Sequence, residues 1–257
     1  MPKYEYFTLK KIDYVVSIRF SRPPLNYFNS VVIHELLEIL SDCDQQTDCR
    51  VTVLCAEGSV FCAGGEFGDG EAGSEKYIEM ASDLYGVAMK LFEIKKPIVA
   101  AINGAAIGGG LGLALVADFR VAGEKAKFSA NFSKLGIHPG FGTTVTLPRV
   151  VGAQVAEMLF YTGRRIDARE AYRIGLADVL AAGDAIEAAL ELAQEISSSA
   201  PMAVQETKAS LRQGFAKDIA NANLKELEIQ KRHMQSNDFK EGVKAVAERR
   251  AAIFNNN

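Results

Sequence analysis

The stretch from Pro97 to Asp118 reads P-I-V-A-A-I-N-G-A-A-I-G-G-G-L-G-L-A-L-V-A-D. It opens with a continuous apolar run, Ile98 to Ile102, which is typical of a buried strand. Three consecutive glycines follow at 108–110, and a second apolar run, Leu111 to Ala117, is long enough for a short buried helix. A strand, a glycine turn and a helix in this order predict unpaired N–H groups at a helix N-terminus, where partial positive charge stabilises a negative oxygen. The stretch therefore indicates half of an oxyanion-binding site, with close helix packing as the alternative.

Other glycine-rich sites fit this stretch poorly. A phosphate-binding P-loop needs Lys and Ser or Thr after its last glycine, and neither follows Gly110. A dinucleotide fingerprint needs a third glycine where Leu115 stands. The nucleophile elbow G-x-S-x-G does not occur in the sequence.

The composition suits one large domain, or one domain with a helical appendage. The chain has 257 residues, of which 48% are hydrophobic and 24% charged, and its formal net charge is -3. This charge argues against a general nucleic-acid partner, which needs a basic surface. No apolar run approaches the ~20 residues of a membrane span, so we expect no membrane partner.

The N-terminal residues and the cysteines favour a cytoplasmic protein. Met1 to Tyr6 lacks the basic-then-apolar pattern of a signal peptide. The four cysteines have no C-x-x-C spacing, and no nearby pair of histidines completes a metal site: Cys43, Cys49, Cys55 and Cys62. We therefore expect reduced thiols and no bound metal.

Strands and helices alternate through the first part of the chain. Tyr14 to Phe20 alternates like a half-buried strand, and a helix follows the potential caps Asn29 and Ser30. Further strands are expected at Arg50–Ala56 and Phe119–Ala122, which favours an α/β fold with parallel strands. From Val151 onward nearly all segments have helical patterns, and the last predicted helix runs from Asp238 to Phe254. Asp167 and Asp238 are the expected N-caps.

A second glycine pair follows a short apolar segment. Val60 to Glu66 reads V-F-C-A-G-G-E, and it stops at Gly64 and Gly65. This is the second place where backbone N–H groups can face a ligand. The glycine-rich and acidic residues 67–74 that follow, which include Asp69, suggest a mobile loop.

Four segments together resemble the crotonase (enoyl-CoA hydratase/isomerase) superfamily. They are Val60–Glu66, Lys96–Gly110, L-G-I-H-P-G-F-G at Leu135–Gly142, and Tyr161–Ala168, and they occur in that family's order and spacing. The continuation through Ala171–Val179 and the C-terminal E-R-R-A-A-I-F extends the resemblance over nearly the whole chain. It implies an α/β spiral of ββα units in residues 1–180 and a helical trimerisation region in residues 181–257.

The resemblance also implies a substrate and a set of site residues. The substrate is an acyl-CoA thioester, or an acyl-carrier-protein thioester, with no separate cofactor. The N–H groups of Gly65 and Gly109 hold the thioester oxygen as it becomes an enolate. The family further suggests that the CoA nucleotide lies near Arg22, Leu25, Ala63 and Phe254 of a neighbouring subunit, in a homotrimer or a dimer of trimers.

The sequence departs from the hydratases of this family at two positions. Their two catalytic glutamates correspond to Gly112 and Phe132, neither of which can transfer a proton. His138 is a candidate replacement because histidine titrates near neutral pH. Its alternative role is to order the turn before Pro139 or to line the pocket.

Three functions remain open. The first is an enoyl-CoA hydratase/isomerase-type enzyme. The second is a decarboxylase or C–C hydrolase of the same fold, since loss of CO2 generates an enolate without proton abstraction. The third is a protein that binds acyl-CoA without turning it over.

Overall fold

The computed structural model describes residues 4–66 and 74–256. The glycine-rich and acidic loop predicted at 67–74, including Asp69, lies outside the described residues except for Ser74. Its strands in chain order are β1 (Phe7–Ile12), β2 (Val15–Phe20), β3 (Val51–Ala56), β4 (Val60–Cys62), β5 (Ile98–Ile102), β6 (Ala105–Ile107), β7 (Phe119–Ala122), β8 (Lys127–Ser129), β9 (Arg165–Asp167) and β10 (Val179–Leu180).

The helices surround these strands and fill most of the second half of the chain. They are α1 (Ser30–Gln45), α2 (Glu75–Ala88), α3 (Gly109–Val116), α4 (Thr143–Val151), α5 (Ala153–Thr162), α6 (Ala168–Arg173), α7 (Ala185–Ser197), α8 (Pro201–Leu211), α9 (Phe215–Met234) and α10 (Asn237–Ala247). Short 3-10 helices occupy Met89–Glu93 and Asn131–Leu135.

Two sheets run through the α/β part. The larger has the order β1-β2-β3-β5-β7-β10, and only the β1–β2 pair among its described pairs is antiparallel. The smaller has the order β4-β6-β8-β9, with β9 antiparallel to β8. Strands β3, β5 and β7 of the larger sheet are each followed directly by a strand of the smaller sheet. The repeated ββα unit of the spiral follows from this alternation, so the predicted α/β class is confirmed.

Both faces of the larger sheet are covered, which explains its continuous apolar strands. Every residue of β3 and β5 is buried. Val53 and Val99 face a cluster that includes three α7 alanines one helical turn apart, at 185, 189 and 193. Leu54 and Ala100 belong to the main core on the other face. Small residues on α7 let this helix approach the sheet closely.

Helices α9 and α10 belong to the same core as the sheets. The main cluster contains Ile219 and Met234 from α9 and Phe239 from α10, together with Phe28 and Ile102. The predicted division at residue 180 marks the point after which the described residues form no strand, and it does not separate two hydrophobic cores.

The structure corrects one predicted cap and one helix end. Ser236 is the N-cap of α10 and accepts from the Phe239 N–H at 3.1 Å, so the prediction of Asp238 was wrong. The Asp238 carboxylate instead accepts from the N–H groups of Asn255 and Asn256. These bonds hold an extended C-terminal segment after α10 has ended at Ala247, well before Phe254. Asp167 does cap α6, through the Glu170 N–H.

Across residues 4–66 and 74–256, no helix combines the length and the apolar character that crossing a membrane requires.

Candidate active site

The site is built where the two glycine segments meet. Gly64 ends the segment after β4 with φ 123°, and Gly108 precedes α3 with φ 54° and ψ -116°. A residue with a Cβ is strained in these backbone conformations, so glycine is required at both turns. Two residues after Gly108, Gly110 packs so closely on β4 that a Cβ would overlap the Cys62 carbonyl oxygen. The glycine run is therefore needed to bring the start of α3 against the end of β4.

The Gly65 N–H is turned away from its neighbouring strand. Gly65 forms a parallel bridge with Phe28. The Phe28 N–H donates to the Gly64 carbonyl at 3.0 Å, and its carbonyl accepts from the Glu66 N–H at 2.7 Å. In such a pairing the residue between the two bonded neighbours directs its own N–H to the other side. The Gly65 N–H therefore points away from Phe28.

The backbone of Gly109 lies close to the backbone of Gly65. Gly109 is the first residue of α3, so its N–H has no carbonyl one turn earlier to bond. If Gly109 carried a Cβ, that atom would stand 3.3 Å from the Gly65 nitrogen. A Cβ on Gly64 would likewise stand 3.8 Å from the Gly109 nitrogen. The helix end adds partial positive charge to the pair. Two N–H donors on adjacent backbone segments, when both face one point, can hold one anionic oxygen.

A cavity of about 660 Å³ opens beside these glycines. The α/β part contributes Leu25 and Ala63 to its lining, which are linked by an Ala63 N–H to Leu25 carbonyl bond of 3.0 Å. The C-terminal helices contribute Gln230, Phe239 and Val243. The region that we expected to serve trimer formation thus also encloses the cavity of its own chain.

Phe141 fills the space beside Gly112. A Cβ on Gly112 would stand 2.8 Å from two ring carbons of Phe141. Phe141 is fully buried with φ 63°, and its ring makes edge contacts with Phe28, Tyr85 and Phe92 at centroid distances of 5.5, 6.1 and 6.4 Å. Position 112 therefore has no room for a side chain unless this ring moves. Phe132, by contrast, lines the cavity directly.

The polar groups of the cavity are mostly uncharged. Burial raises the pKa of Tyr77 to about 12 and also raises the pKa of Tyr85. Asn131 and Gln230 contribute amides, and the side-chain oxygen of each is buried without a hydrogen-bond partner among the described residues. Glu66 is the acidic residue in the described lining, and it forms an ion pair with Arg22.

The structure brings some of the predicted site residues together and leaves others apart. Gly65, Gly109, Leu25 and Ala63 all line the cavity. Arg22 is not among the described lining residues, but it contacts two of them. Its guanidinium donates to the Tyr27 carbonyl at 3.0 Å and also to the Glu66 carboxylate.

His138 and Phe254 are not among the described lining residues. The His138 Nδ1 lies 2.8 Å from the Pro139 carbonyl oxygen, and its ring faces His233 at 6.4 Å. Phe254 is partly exposed in the C-terminal segment, and its expected position near CoA concerns a neighbouring subunit.

Sequence patterns did not point to the buried polar residues of α9. Asn223, Glu226 and Gln230 are almost fully buried on the face of α9 that also carries Ile219 and Met234. Their helical spacing within the apolar stripe of α9 was the sequence signal that could have indicated their burial. The Glu226 carboxylate accepts from the N–H groups of residues 142 and 144 and from the Thr144 hydroxyl at 2.5 Å, and burial raises its pKa.

No group of three or more His, Cys, Asp or Glu side chains within the described ranges could hold a metal ion. All four cysteines are free thiols and buried.

The fold and the glycine site together define a crotonase-type protein. The sequence profile of the enoyl-CoA hydratase/isomerase family matches residues 11–257, and the chain belongs to this family.

Individual relatives agree over nearly their full length. The chain is 34% identical over 252 residues to the putative enoyl-CoA hydratase/isomerase YngF of Bacillus subtilis, covering 96% of each chain. It is 32% identical over 259 residues to the crotonyl-CoA hydratase of Syntrophomonas wolfei, covering 98% of each. The crystal structure of an enoyl-CoA hydratase/isomerase from Pseudoalteromonas atlantica matches with a TM-score of 0.84 at 30% identity, over 98% of this chain and all of that one.

Proposed function

We propose that this protein binds an acyl-CoA thioester and stabilises its enolate with the N–H groups of Gly65 and Gly109. The observation that carries the proposal is the close approach of the Gly65 and Gly109 backbones at the cavity: the Gly109 N–H opens a helix, and the Gly65 N–H faces away from its bridge partner Phe28. An enolate oxygen gains negative charge as it forms, and preset donors in a dry site contribute about 3–4 kcal/mol each to such a transition state. Family membership supports the thioester, because relatives carry names such as crotonyl-CoA hydratase.

We further propose that the reaction is not hydration by paired glutamates. The positions that the resemblance assigns to those glutamates hold Gly112, which faces the Phe141 ring, and Phe132. The acidic residue of the described lining, Glu66, is paired with Arg22. Among the described lining residues no carboxylate is unpaired. Such a lining suits reactions that form an enolate by breaking a carbon–carbon bond, such as decarboxylation or C–C hydrolysis, and it also suits binding without turnover.

A panel of thioesters ranks these alternatives. Crotonyl-CoA, a 3-enoyl-CoA and malonyl-CoA are each incubated with the protein, and products are quantified by mass spectrometry. We expect the malonyl thioester to lose CO2 and crotonyl-CoA to be hydrated slowly if at all. Hydration of crotonyl-CoA at rates typical of enzymes, about 10 per second or more, would overturn the second part of the proposal. Tight binding of every thioester with no product would favour a binding protein.

The role of the two N–H groups has a spectroscopic readout. The infrared stretch of a ¹³C-labelled thioester carbonyl falls when donors polarise it, so we expect a lower frequency in the bound than in the free acyl-CoA. Gly109→Ala places a Cβ 2.9 Å from Phe28 Cζ and beside the Gly65 nitrogen, and should abolish the shift. Gly86→Ala on α2, where a Cβ meets nothing within 4 Å, is the matched control. An unshifted carbonyl in the unaltered protein would contradict the assignment.

The remaining predictions extend the same proposal. The CoA nucleotide would contact Arg22, Leu25 and Ala63, together with Phe254 of a neighbouring subunit. Parallel titrations with acyl-CoA and acyl-carrier protein distinguish the two carriers. His138→Ala tests the candidate acid/base, and unchanged activity would assign that residue a structural role.

We also propose a homotrimer or a dimer of trimers. Large apolar side chains are exposed on α5, α8 and α9, among them Tyr161, Leu211 and Leu224, and subunit contacts would cover them. Light scattering after size exclusion gives the subunit number directly, and a monomeric mass would contradict the proposal.

A further inference from the structure

Two histidines join the turn that follows the 3-10 helix Asn131–Leu135 to the last turn of α9. The rings of His138 and His233 meet edge to face, with centroids 6.4 Å apart. His138 Nδ1 lies 2.8 Å from the Pro139 carbonyl oxygen, which is an acceptor, so the neutral ring carries its proton on Nδ1 and takes up a second one at Nε2. Both side chains are partly exposed, so both can exchange protons with solvent.

The same contact holds one wall of the cavity together. Gln230 lies one helical turn before His233, lines the cavity, and donates through Nε2 to the His138 carbonyl at 2.8 Å. Ile137, the residue before His138, also lines the cavity. A movement of this turn away from α9 would therefore open the wall between Ile137 and Gln230.

The charges around His233 disfavour a second positive charge at this contact. Burial lowers the pKa of His233, and the charges of His138 and Arg232 lower it further. The last turn of α9 also carries Lys231. Neither histidine forms an ion pair with any residue that the structure describes. A proton on both rings therefore places like charges side by side.

The titratable groups of the neighbouring elements have partners of their own or stay neutral. The Glu226 carboxylate interacts with the His138 charge, but its oxygens are bonded by the N–H groups of residues 142 and 144. Tyr85 of α2 stays neutral because burial raises its pKa, and the Asp238 carboxylate of α10 accepts from the N–H groups of residues 255 and 256. Helix α4 and the 3-10 helix at 89–93 contact Phe215, at the opposite end of α9.

We infer that this histidine pair is a pH-sensitive contact that controls acyl-CoA binding: the wall between α9 and the turn is closed while at least one ring is neutral, and it opens when both rings are protonated. The inference rests on the proposed binding of acyl-CoA and adds a means of regulating it. Like charges repel, and the partly exposed rings relieve the repulsion by separating. The affinity for acyl-CoA therefore falls as pH drops through the range in which histidines take up protons.

Calorimetric titration with butyryl-CoA, from about pH 8 to about pH 5, brackets the ordinary histidine pKa and tests the inference. For two unit charges 6.4 Å apart, Coulomb's law gives a loss of affinity of about 3-fold at the dielectric constant of water and about 80-fold at an effective value of about 20. His233→Gln removes the titrating ring and should abolish this loss. His34→Gln, at an exposed position of α1, is the matched control and should keep it. The titration of the CoA phosphate is the same for all three proteins and cancels in the comparison.

Equal losses in the unaltered protein and in His233→Gln would overturn the inference while leaving acyl-CoA binding intact. Absence of binding at the alkaline end of the series would instead contradict the proposed function. His233→Lys keeps a positive charge throughout the series and should bind weakly even at the alkaline end, which loss of the ring alone would not produce. A Lys variant that binds as tightly as the Gln variant would count against the role of charge.

The contact itself has an independent readout by nuclear magnetic resonance. The chain has three histidines, so their ring signals can be assigned by substitution. His138→Gln removes one of the charges that lower the pKa of His233 and should raise that pKa. An unchanged titration of His233 would show that the two rings do not sense each other, and it would refute the inference. This measurement needs no ligand, so it decides the matter even if His233→Gln does not fold.

Discussion

The contact between Gly112 and the Phe141 ring predicts a strong coupling between these two positions. Gly112 lies within α3, where alanine is favoured over glycine by about 1 kcal/mol. Its Cβ would stand 2.8 Å from two ring carbons and 2.9 Å from the Cβ of Phe141. The ring is fully buried and enclosed by three other aromatic rings, so it cannot move aside cheaply. Overpacking of this kind costs about 1–3 kcal/mol, so Gly112→Ala should destabilise the protein by up to about 2 kcal/mol.

Removing the ring should reverse the sign of that effect. Phe141→Gly loses about 3–5 kcal/mol of buried aromatic packing, offset by about 1 kcal/mol because φ 63° suits glycine. In this background Gly112→Ala meets no ring and should stabilise by about 1 kcal/mol, from helix propensity alone. The four proteins of the double-mutant cycle should therefore show a coupling free energy of about 1–3 kcal/mol.

Urea unfolding at fixed pH gives the free energy of unfolding of each protein in the cycle. Gly86→Ala is the control. Gly86 is exposed on α2 and its Cβ would contact nothing within 4 Å, so this change should be neutral or stabilising in both backgrounds. Effects at Gly112 and Phe141 that add to within about 0.5 kcal/mol would refute the reasoning. That result would mean that position 112 is open, and the argument against a side chain there would fail.

Three further predictions concern stability. Asp118→Asn should cost about 3–5 kcal/mol in urea unfolding, because it leaves the largely buried Lys208 ammonium without its carboxylate. Asp48→Asn, in an exposed ion pair, should have a much smaller effect, and equal effects of the two changes would contradict this. Burial raises the pKa of Glu226, so its contribution to the free energy of unfolding is fully present below the unfolded-state pKa and is lost as pH rises through the folded-state pKa. Glu226→Gln should remove this part of the pH dependence of stability. An unchanged profile of unfolding free energy against pH would show that another group causes it. Gly110→Ala should give little folded protein in expression and thermal melting, because its Cβ overlaps a backbone oxygen of β4, and a normal melting curve would be evidence against that close approach.

The apolar patterns predicted most of the longer strands and helices, but not the six-residue strand β1, which has one fully buried residue. Ile98–Ile102 and the helix that starts at the glycine run appear as β5 and α3, and the continuous burial of β3 follows from its two apolar faces. The short strands β6, β9 and β10 were not predicted. Each has two or three residues, too few for a period-2 pattern, and each exists because a neighbouring strand is there to pair with it.

The glycine motifs also indicated the two segments that meet at the cavity, because positive φ and close backbone approach leave few alternatives to glycine. The choice of Gly65 and Gly109 as donors came from the family resemblance and stays a prediction. The sequence showed which side chains are missing at 112 and 132. It did not show that Phe141 occupies the space beside Gly112, since these residues lie 29 positions apart and only the packing of α3 against the following turn brings them together.

By itself, then, the sequence determined the α/β class, the family and the paired glycines, all of which depend on local patterns and backbone conformation. The tertiary structure decided which side chains enclose the cavity. Gln230 and Phe239 reach it from α9 and α10 because the C-terminal helices join the main core. His138, a candidate by residue type, is not among the described lining residues and contacts Pro139 and His233, so its catalytic role stays a prediction. Chemical type can be read from a sequence, but the direction in which a side chain points is set by long-range packing.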